Sequence, residues 1–404
     1  MKKHHTFVTF LGRGRLDDTQ LGYQTTKYQF PNSKDDPEST SFLGLALVKH
    51  FKPDRFVILG TEGSQWSVLV EGLVEPDENQ SARDDLFSAE DEKKVTQEML
   101  DGVKELMSKS LGCAIVPLII PFGKDEEEQY RILDYIADRE NVPDGIVSLD
   151  LTHGFRHFGM IGFLSAFMLE RVRNLEVKNL WYGAWDMAVD GITPVIKLEG
   201  LERVRHWINA LEKFSVTRNY GVFETLLIKD DRSLEKAAAH LKNAAFHERT
   251  TQLFDAQDEI KEFLTKSKLK CKTLPGASGL FQERLLECLK WVDLEPYSKQ
   301  QAALAREYLT RHDYVRAAIF GWETLVTQEC ERRGLNPRPR RIRANENPLN
   351  GTANPEVCEI LRQIRNALAH GDPPRLSKVQ KMLEDEQKLY NGLQDAFNTL
   401  LPDT

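Results

Sequence analysis

The chain has 404 residues, 41% of them hydrophobic and 29% charged, with a formal net charge of −8, which is enough for two or three domains of an ordinary soluble protein. No apolar run reaches membrane-spanning length, and the opening MKKHHTFVTFLG passes into a strand pattern instead of a signal peptide, so a cytoplasmic protein with no membrane partner is expected. The acidic balance excludes a broad nucleic-acid-coating surface, and five cysteines without CxxC spacing give no ground to expect a metal site or a disulfide framework.

Over the first 200 residues, short apolar runs alternate with helical patterns. Strands are predicted over 6–11, 55–60, 113–120, 145–151 and 179–182, and helices over 41–51, 90–111 and 126–138. This is the pattern of an α/β domain with a doubly wound, mostly parallel sheet. Such sheets bind ligands at the carboxyl ends of their strands. The first strand runs into Gly12, Arg13 and Gly14, where small residues let a ligand approach the backbone and the arginine offers charge. The second runs into Thr61, Glu62, Gly63, Ser64, Gln65 and Trp66, which combine hydroxyls, an amide and a stacking surface. The fourth ends in DLTHGFRHFG, where Thr152, His153, Gly154, Phe155 and Arg156 precede a long apolar helix over 160–169. A helix N-terminus after such a turn attracts anions. None of these loops carries a GxGxxG or a GxxxxGK[ST] pattern. Together they suit a phosphate-bearing, adenine-like ligand. Two polar stretches, 15–39 and 75–91, are expected to be loops over this pocket.

The strings TFLGRG, STSFLGLALVKHFKPDRFVILGTEGSQW and DLTHGFRHFGMIGFLSAFML resemble the CARF domain (CRISPR-associated Rossmann fold) of type III CRISPR ancillary proteins. The resemblance implies a Rossmann-like sensor domain over 1–198 that dimerises and binds cyclic oligoadenylate across the two-fold axis. Cyclic tetra-adenylate is the ring the family favours, with six- and three-membered rings as alternatives. It carries Gly12, Arg13, Thr61, Glu62, Gly63, Thr152, His153, Gly154 and Arg156 over as ligand-binding positions. No other cofactor is implied. A sensor that also cleaves its own activator is a variant of the same reading, with the Thr61 and Thr152 loops holding the ring.

From about residue 198 the strand signals stop, and helical spacing recurs over 201–214, 220–227, 234–246, 253–264 and 279–292. A helix-turn-helix could sit in such a bundle, but between Lys229 and Glu262 six basic residues meet eight acidic ones, so a stable DNA partner is not expected. The stretch 199–300 reads as a connector. A long helix or helical pair follows over 301–332, in which Arg316 and Glu323 interrupt an apolar face of Val315, Ile319, Trp322 and Val326. An arginine-rich loop comes next (Arg332, Arg333, Arg338, Arg340, Arg341 and Arg343), either a solvated, mobile segment or a track for an RNA backbone.

The last signal is NPEVCEILRQIRNALAHGDPPR, with a final helix over 376–400 packed beside it. Val357, Ile360, Leu361, Ile364 and Leu368 form one buried stripe, and Gly371, Pro373 and Pro374 end the helix. Arg362, Asn366 and His370 share the opposite face, with Arg365 on its flank. Histidine moves protons near neutral pH and arginine binds phosphate oxygens, the two needs of RNA cleavage by 2′-OH attack without a metal. Arg365 and His370 point about 140° apart on an ideal helix, so one copy is expected to be half a site. A second Arg-to-His spacing, Arg306 to His312, has no asparagine after its arginine. The string RNALAH resembles the RNxxxH signature of HEPN ribonucleases, which implies Arg365, Asn366 and His370 as catalytic residues at a homodimer interface within 301–404. Glu323 matches the acidic residue that orients the arginine in similar helices of that family. The order of the two resemblances implies a cyclic oligoadenylate-activated endoribonuclease of CRISPR antiviral defence, acting on single-stranded RNA. The rival reading is a ligand-responsive regulator that binds DNA or a protein and cuts nothing.

Overall fold

A computed structural model of the chain describes residues 3–14, 24–33, 36–74 and 76–403, and it divides into two units, Met1–Glu202 and Arg203–Thr404. In the first unit, β1 (His5–Leu11) takes the middle of the sheet because it is apolar on both sides. Phe7 and Leu11 enter one core and Val8 and Phe10 the other, all at most 2% exposed. Burying each such side chain stabilises the fold by about 1.5–3 kcal/mol. β4 (Arg55–Gly60) repeats the arrangement, with Phe56 and Ile58 on one face and Val57 and Leu59 on the other. Strands of this kind can only be central, because both faces need cover.

β2 is Thr26–Gln29, β3 Glu38–Thr40, β5 Ala114–Ile119, β6 Ile146–Asp150, β7 Glu176–Gly183 and β8 Ile192–Lys197, and the eight strands lie in the order β3-β2-β8-β7-β6-β1-β4-β5. β5, β4, β1, β6 and β7 run parallel; β8 is antiparallel to β7, and β3 to β2. α1 (Leu43–Phe51), α2 (Ser67–Leu73), α3 (Pro76–Glu92) and α4 (Gln97–Leu111) contribute to the core on one face; α5 (Glu126–Ala137) and α6 (Arg156–Val172) cover the other. From β1 the chain moves to β4 on one side and later returns to β6 on the other. The carboxyl end of β1 is therefore the switch point where a ligand crevice is expected.

Three sequence expectations change here. Part of 15–39 forms β2 and the edge strand β3 instead of a loop, while 15–23 and 34–35 lie outside the described residues. The stretch 75–91 is mostly α3, anchored by the buried Leu86. The single helix expected over 90–111 is two, because Lys93 takes a left-handed φ of 54° and Thr96 caps α4 by accepting from the Met99 N–H.

The second unit is all helical. Its helices are α7 (Glu199–Thr217), inside which the division falls, α8 (Glu224–Asp230), α9 (Glu235–Arg249), α10 (Leu253–Ser267), α11 (Gly276–Leu289), α12 (Tyr297–Thr310), α13 (Tyr314–Arg332), α14 (Arg340–Arg343), α15 (Pro355–His370), α16 (Ser377–Leu383) and α17 (Glu386–Leu400). One apolar core runs from Trp207 to Leu401. The stretch 301–332 is a pair, α12 and α13, turned at His312 (φ 57°) and restarted by Asp313, whose carboxylate accepts from the Arg316 N–H. The final helix is also two, with Asp385 capping α17 through the Lys388 N–H. α13 and α17 both pack on α15. The buried face of α15 is Cys358, Ile360, Leu361 and Ile364, its first turn carries Pro355, and Gly371 ends it at φ 74°.

Candidate functional site

At the carboxyl end of β1 the backbone of Gly12 lies against that of Gly154: a Cβ on Gly12 would stand 2.6 Å from the Gly154 nitrogen. Only glycine permits that approach, and Gly154 itself has φ 90°. The contact separates two cavities that share Leu11, Gly12 and Arg13. One, of about 300 Å³, is lined by Gly14, Tyr28, Phe42, Gln65, Thr152, His153, Tyr182 and Trp185. The other, of about 270 Å³, is lined by Thr61, Gly63, Ser64, Lys93, Phe122, Gly154 and Phe155.

The β6 end is set by Asp150, which is fully buried and accepts from Thr9 Oγ1 at 2.8 Å, from the Thr152 amide at 3.0 Å and from the Thr152 hydroxyl. Burial raises its carboxyl above the usual range, while His153 and the hydroxyl bonds pull the other way. Thr152 Oγ1 also accepts from the Gly183 N–H at 2.8 Å, which ties the end of β6 to the end of β7. His153 Nε2 accepts from the Leu43 N–H at 3.2 Å, at the start of α1, and its ring sits against Phe42. Burial lowers the His153 pKa below the ordinary histidine value, against an opposing pull from Asp150.

The β4 loop uses several expected ligand residues internally. Ser64 Oγ donates to the Leu11 carbonyl at 2.8 Å and accepts from the Thr61 N–H at 2.9 Å; the Gln65 amide group bonds Gly14 through both its oxygen and its nitrogen. Trp66 is 0% exposed, with Nε1 donating to the Thr61 carbonyl, so it packs in the core and offers no stacking surface. Glu62 is exposed and lines neither cavity, and Arg156, also exposed at the start of α6, lines neither. Arg13 lines both and pairs with Asp91 at 2.7 Å. Sequence reasoning missed Tyr28, Phe42, Lys93, Phe122, Tyr182 and Trp185. The alternation of the β7 run hinted at Tyr182; the others come from distant elements.

In the second unit, the last two turns of α15 gather Arg365, Asn366 and His370. Arg365 Nη1 donates to Asn366 Oδ1 at 2.8 Å and lies 3.4 Å from His370 Nε2. The arginine side chain is long enough to cross the angle that separates the two positions on the helix. Its guanidinium rests 5.5 Å from the Trp322 ring centre on α13, a cation–π contact that holds it in place. Burial lowers the Arg365 pKa, with Glu323 opposing. Glu323 sits next to Trp322 and faces Arg343 at 3.5 Å. Burial raises the Glu323 carboxyl above its usual range, against the pull of Arg343, Arg365 and Arg340. His370 is exposed at the helix end.

Arg362 on the polar face and the buried Gln363 are already engaged. Arg362 makes a bidentate pair with Glu359 at 2.7 and 2.6 Å. Gln363 Oε1 accepts from the Arg375 and Leu376 amides, both at 2.9 Å, and so fixes the chain beyond the helix. The competing Arg306 and His312 are structural: Arg306 donates to the Pro402 carbonyl near the end of α17, and His312 pairs with Glu386. Among the described residues no group of three or more His, Cys, Asp or Glu is placed to hold a metal ion, and no helix is long and apolar enough to cross a membrane.

Residues 6–184 match the family described as CRISPR system endoribonuclease Csx1, CARF domain. A CRISPR-associated protein of Methanocaldococcus jannaschii is 23% identical over 435 residues, covering 97% of this chain and 65% of its own; the chain thus spans about two thirds of that relative's length. Among solved structures, Enterococcus italicus Csm6 bound to cyclic hexa-2′-fluoro-hexa-dAMP aligns over 100% of this chain and 95% of its own, with a TM-score of 0.36 and 13% identity.

Proposed function

We propose, since residues 6–184 match the Csx1 CARF-domain family, that the chain is a cyclic oligoadenylate-activated endoribonuclease of type III CRISPR defence, working as a homodimer. The cavities at the carboxyl end of β1 take the cyclic ligand, with Arg13 and Lys93 toward its phosphates and the Thr61 and Thr152 loops around it. Residues 1–198 are the sensor, 199–300 the connector and 301–404 the HEPN nuclease. The observation that carries the nuclease reading is the contact of Arg365 with both Asn366 and His370 at the exposed end of α15.

In this reading single-stranded RNA lies with its scissile phosphate against Arg365. The guanidinium, charged and held by Trp322, stabilises the phosphorane. His370 takes the proton from the 2′-OH, and the imidazole of the partner copy gives one to the departing 5′-oxygen. Asn366 keeps Arg365 aligned, and Glu323 holds the arginines around it. The products are a 2′,3′-cyclic phosphate and a 5′-OH. An exposed apolar stripe on α6, Met160 and Leu164, supports pairing of two sensors.

A fluorescent single-stranded RNA, incubated in EDTA with and without each of the three cyclic ligands, tests this. Cleavage should require a cyclic oligoadenylate, and His370→Ala should abolish it while ligand binding is retained. Cleavage that survives in His370→Ala removes the assignment. Ligand binding with no cleavage by the unmodified chain would favour the regulator reading.

A further inference from the structure

The six arginines from the end of α13 to α14 are not equivalent. Arg332 pairs with Glu329 at 2.6 Å and Arg333 with Glu346 at 2.7 Å. Arg338 pairs with Asp258 on α10 at 2.6 Å and lies over the Phe254 and Tyr297 rings. Arg343 lies 5.0 Å from the Phe254 ring centre and faces Glu323. These contacts clamp α14 between α10 and α13, so the segment is not the solvated run its composition allows. Arg340 and Arg341 are left exposed on the clamped helix, without an ion pair among the described residues.

Their position matters because α13 holds both neighbours through adjacent residues. Trp322 carries Arg365 and Glu323 carries Arg343. The free arginines therefore stand on a helix whose anchor is one residue from the support of the proposed catalytic arginine. A guanidinium fixed in that way is suited to a phosphodiester oxygen. Four of the six charges are paired locally, and the two exposed arginines, without an ion pair among the described residues, are the ones left to bind a polyanion.

We propose that α14 is an RNA-backbone clamp, in which Arg340 and Arg341 bind phosphates flanking the one that is cut. The proposal rests on the ribonuclease reading for its substrate class, but its test does not depend on cleavage. The full-length His370→Ala protein, saturated with the cyclic ligand, is titrated with a labelled single-stranded RNA by fluorescence anisotropy across a range of salt. Each phosphate contact on a single strand contributes about 0.7 to the slope of log affinity against log salt. Replacing both Arg340 and Arg341 with Ala should then lower the slope by about 1.4 and weaken binding about 25-fold near 0.1 M salt. The double Lys variant should recover most of the slope, which a merely structural defect would not allow. Unchanged slope and affinity in the double Ala variant overturn the clamp, as does a loss of affinity that lysine fails to restore. RNA binding that depends on these arginines in a chain whose unmodified form cuts nothing would retain the clamp and remove the nuclease.

Discussion

His153 accepts a backbone N–H at Nε2, and an accepting nitrogen carries no proton, so the native state holds the neutral ring. Burial acts in the same direction by lowering the pKa. The sign of the pH effect follows. An unfolded histidine binds its proton near about pH 6.5, while the native one binds it only at lower pH. As pH falls from neutral, the unfolded chain therefore gains a proton first, and native stability is lost until the folded pKa is passed. The neighbouring Asp150, raised by burial, stabilises the native state as pH falls through its own range, so the comparison is best made with a variant that keeps it. We expect the melting-temperature advantage of the unmodified chain over His153→Gln to shrink as pH drops from about 7.5 to about 5.5. A difference that stays constant over that window would mean that the buried ring is not what titrates.

At the scale of elements, the end of α15 decides where His370 stands. Gly371 takes φ 74°, donates its N–H to the Ala367 carbonyl and has nothing within 4 Å of where a Cβ would be, so a side chain there meets only backbone strain. Gly371→Ala should cost about 1–2 kcal/mol. The strain falls on the last turn of the helix, and the proposed RNA cleavage should fall more than global stability does; chemical denaturation and a cleavage assay on the same preparation compare the two. This helix was legible in the sequence because its apolar stripe, Pro355 and Gly371 agree on one set of bounds. β1 and β4 were legible for a related reason: strands buried on both faces are mostly apolar runs, here broken only by threonines inside β1. β2, β3 and β8 were not, since TKYQ, EST and ITPVIK are short or interrupted by polar residues and a proline and show no sustained apolar run. The RNALAH string was set apart by its resemblance to a known signature, since spacing alone also offered Arg306 and His312. What anchors α14 could not, because Asp258 lies 80 residues before the Arg338 it pairs with, and the burial of Trp66 depends on a core assembled from several elements.

At the scale of the molecule, the proposed reaction needs two proton transfers, whereas one copy of α15 offers a single imidazole beside Arg365. Either one histidine performs both steps in turn or two copies supply one each, and the surface of the first unit favours pairing. On α6, Met160 is 74% and Leu164 56% exposed, one turn apart, and Phe155 is exposed just before the helix begins. Apolar side chains aligned on one exposed helix face in this way can form part of an interface patch. Leu164→Glu places the charge on a side chain that is more than half exposed in the monomer, so folding should be little disturbed. A charge buried without a partner in a dimer interface is strongly unfavourable. Sedimentation should therefore find the variant monomeric at concentrations where the unmodified chain, on the proposed pairing, sediments as a dimer, with an unchanged melting temperature at equal monomer fraction and with the proposed ligand-activated RNA cleavage lost. Were the variant to stay dimeric and active, the pairing surface would have to lie elsewhere, and α6 would be an ordinary exposed helix.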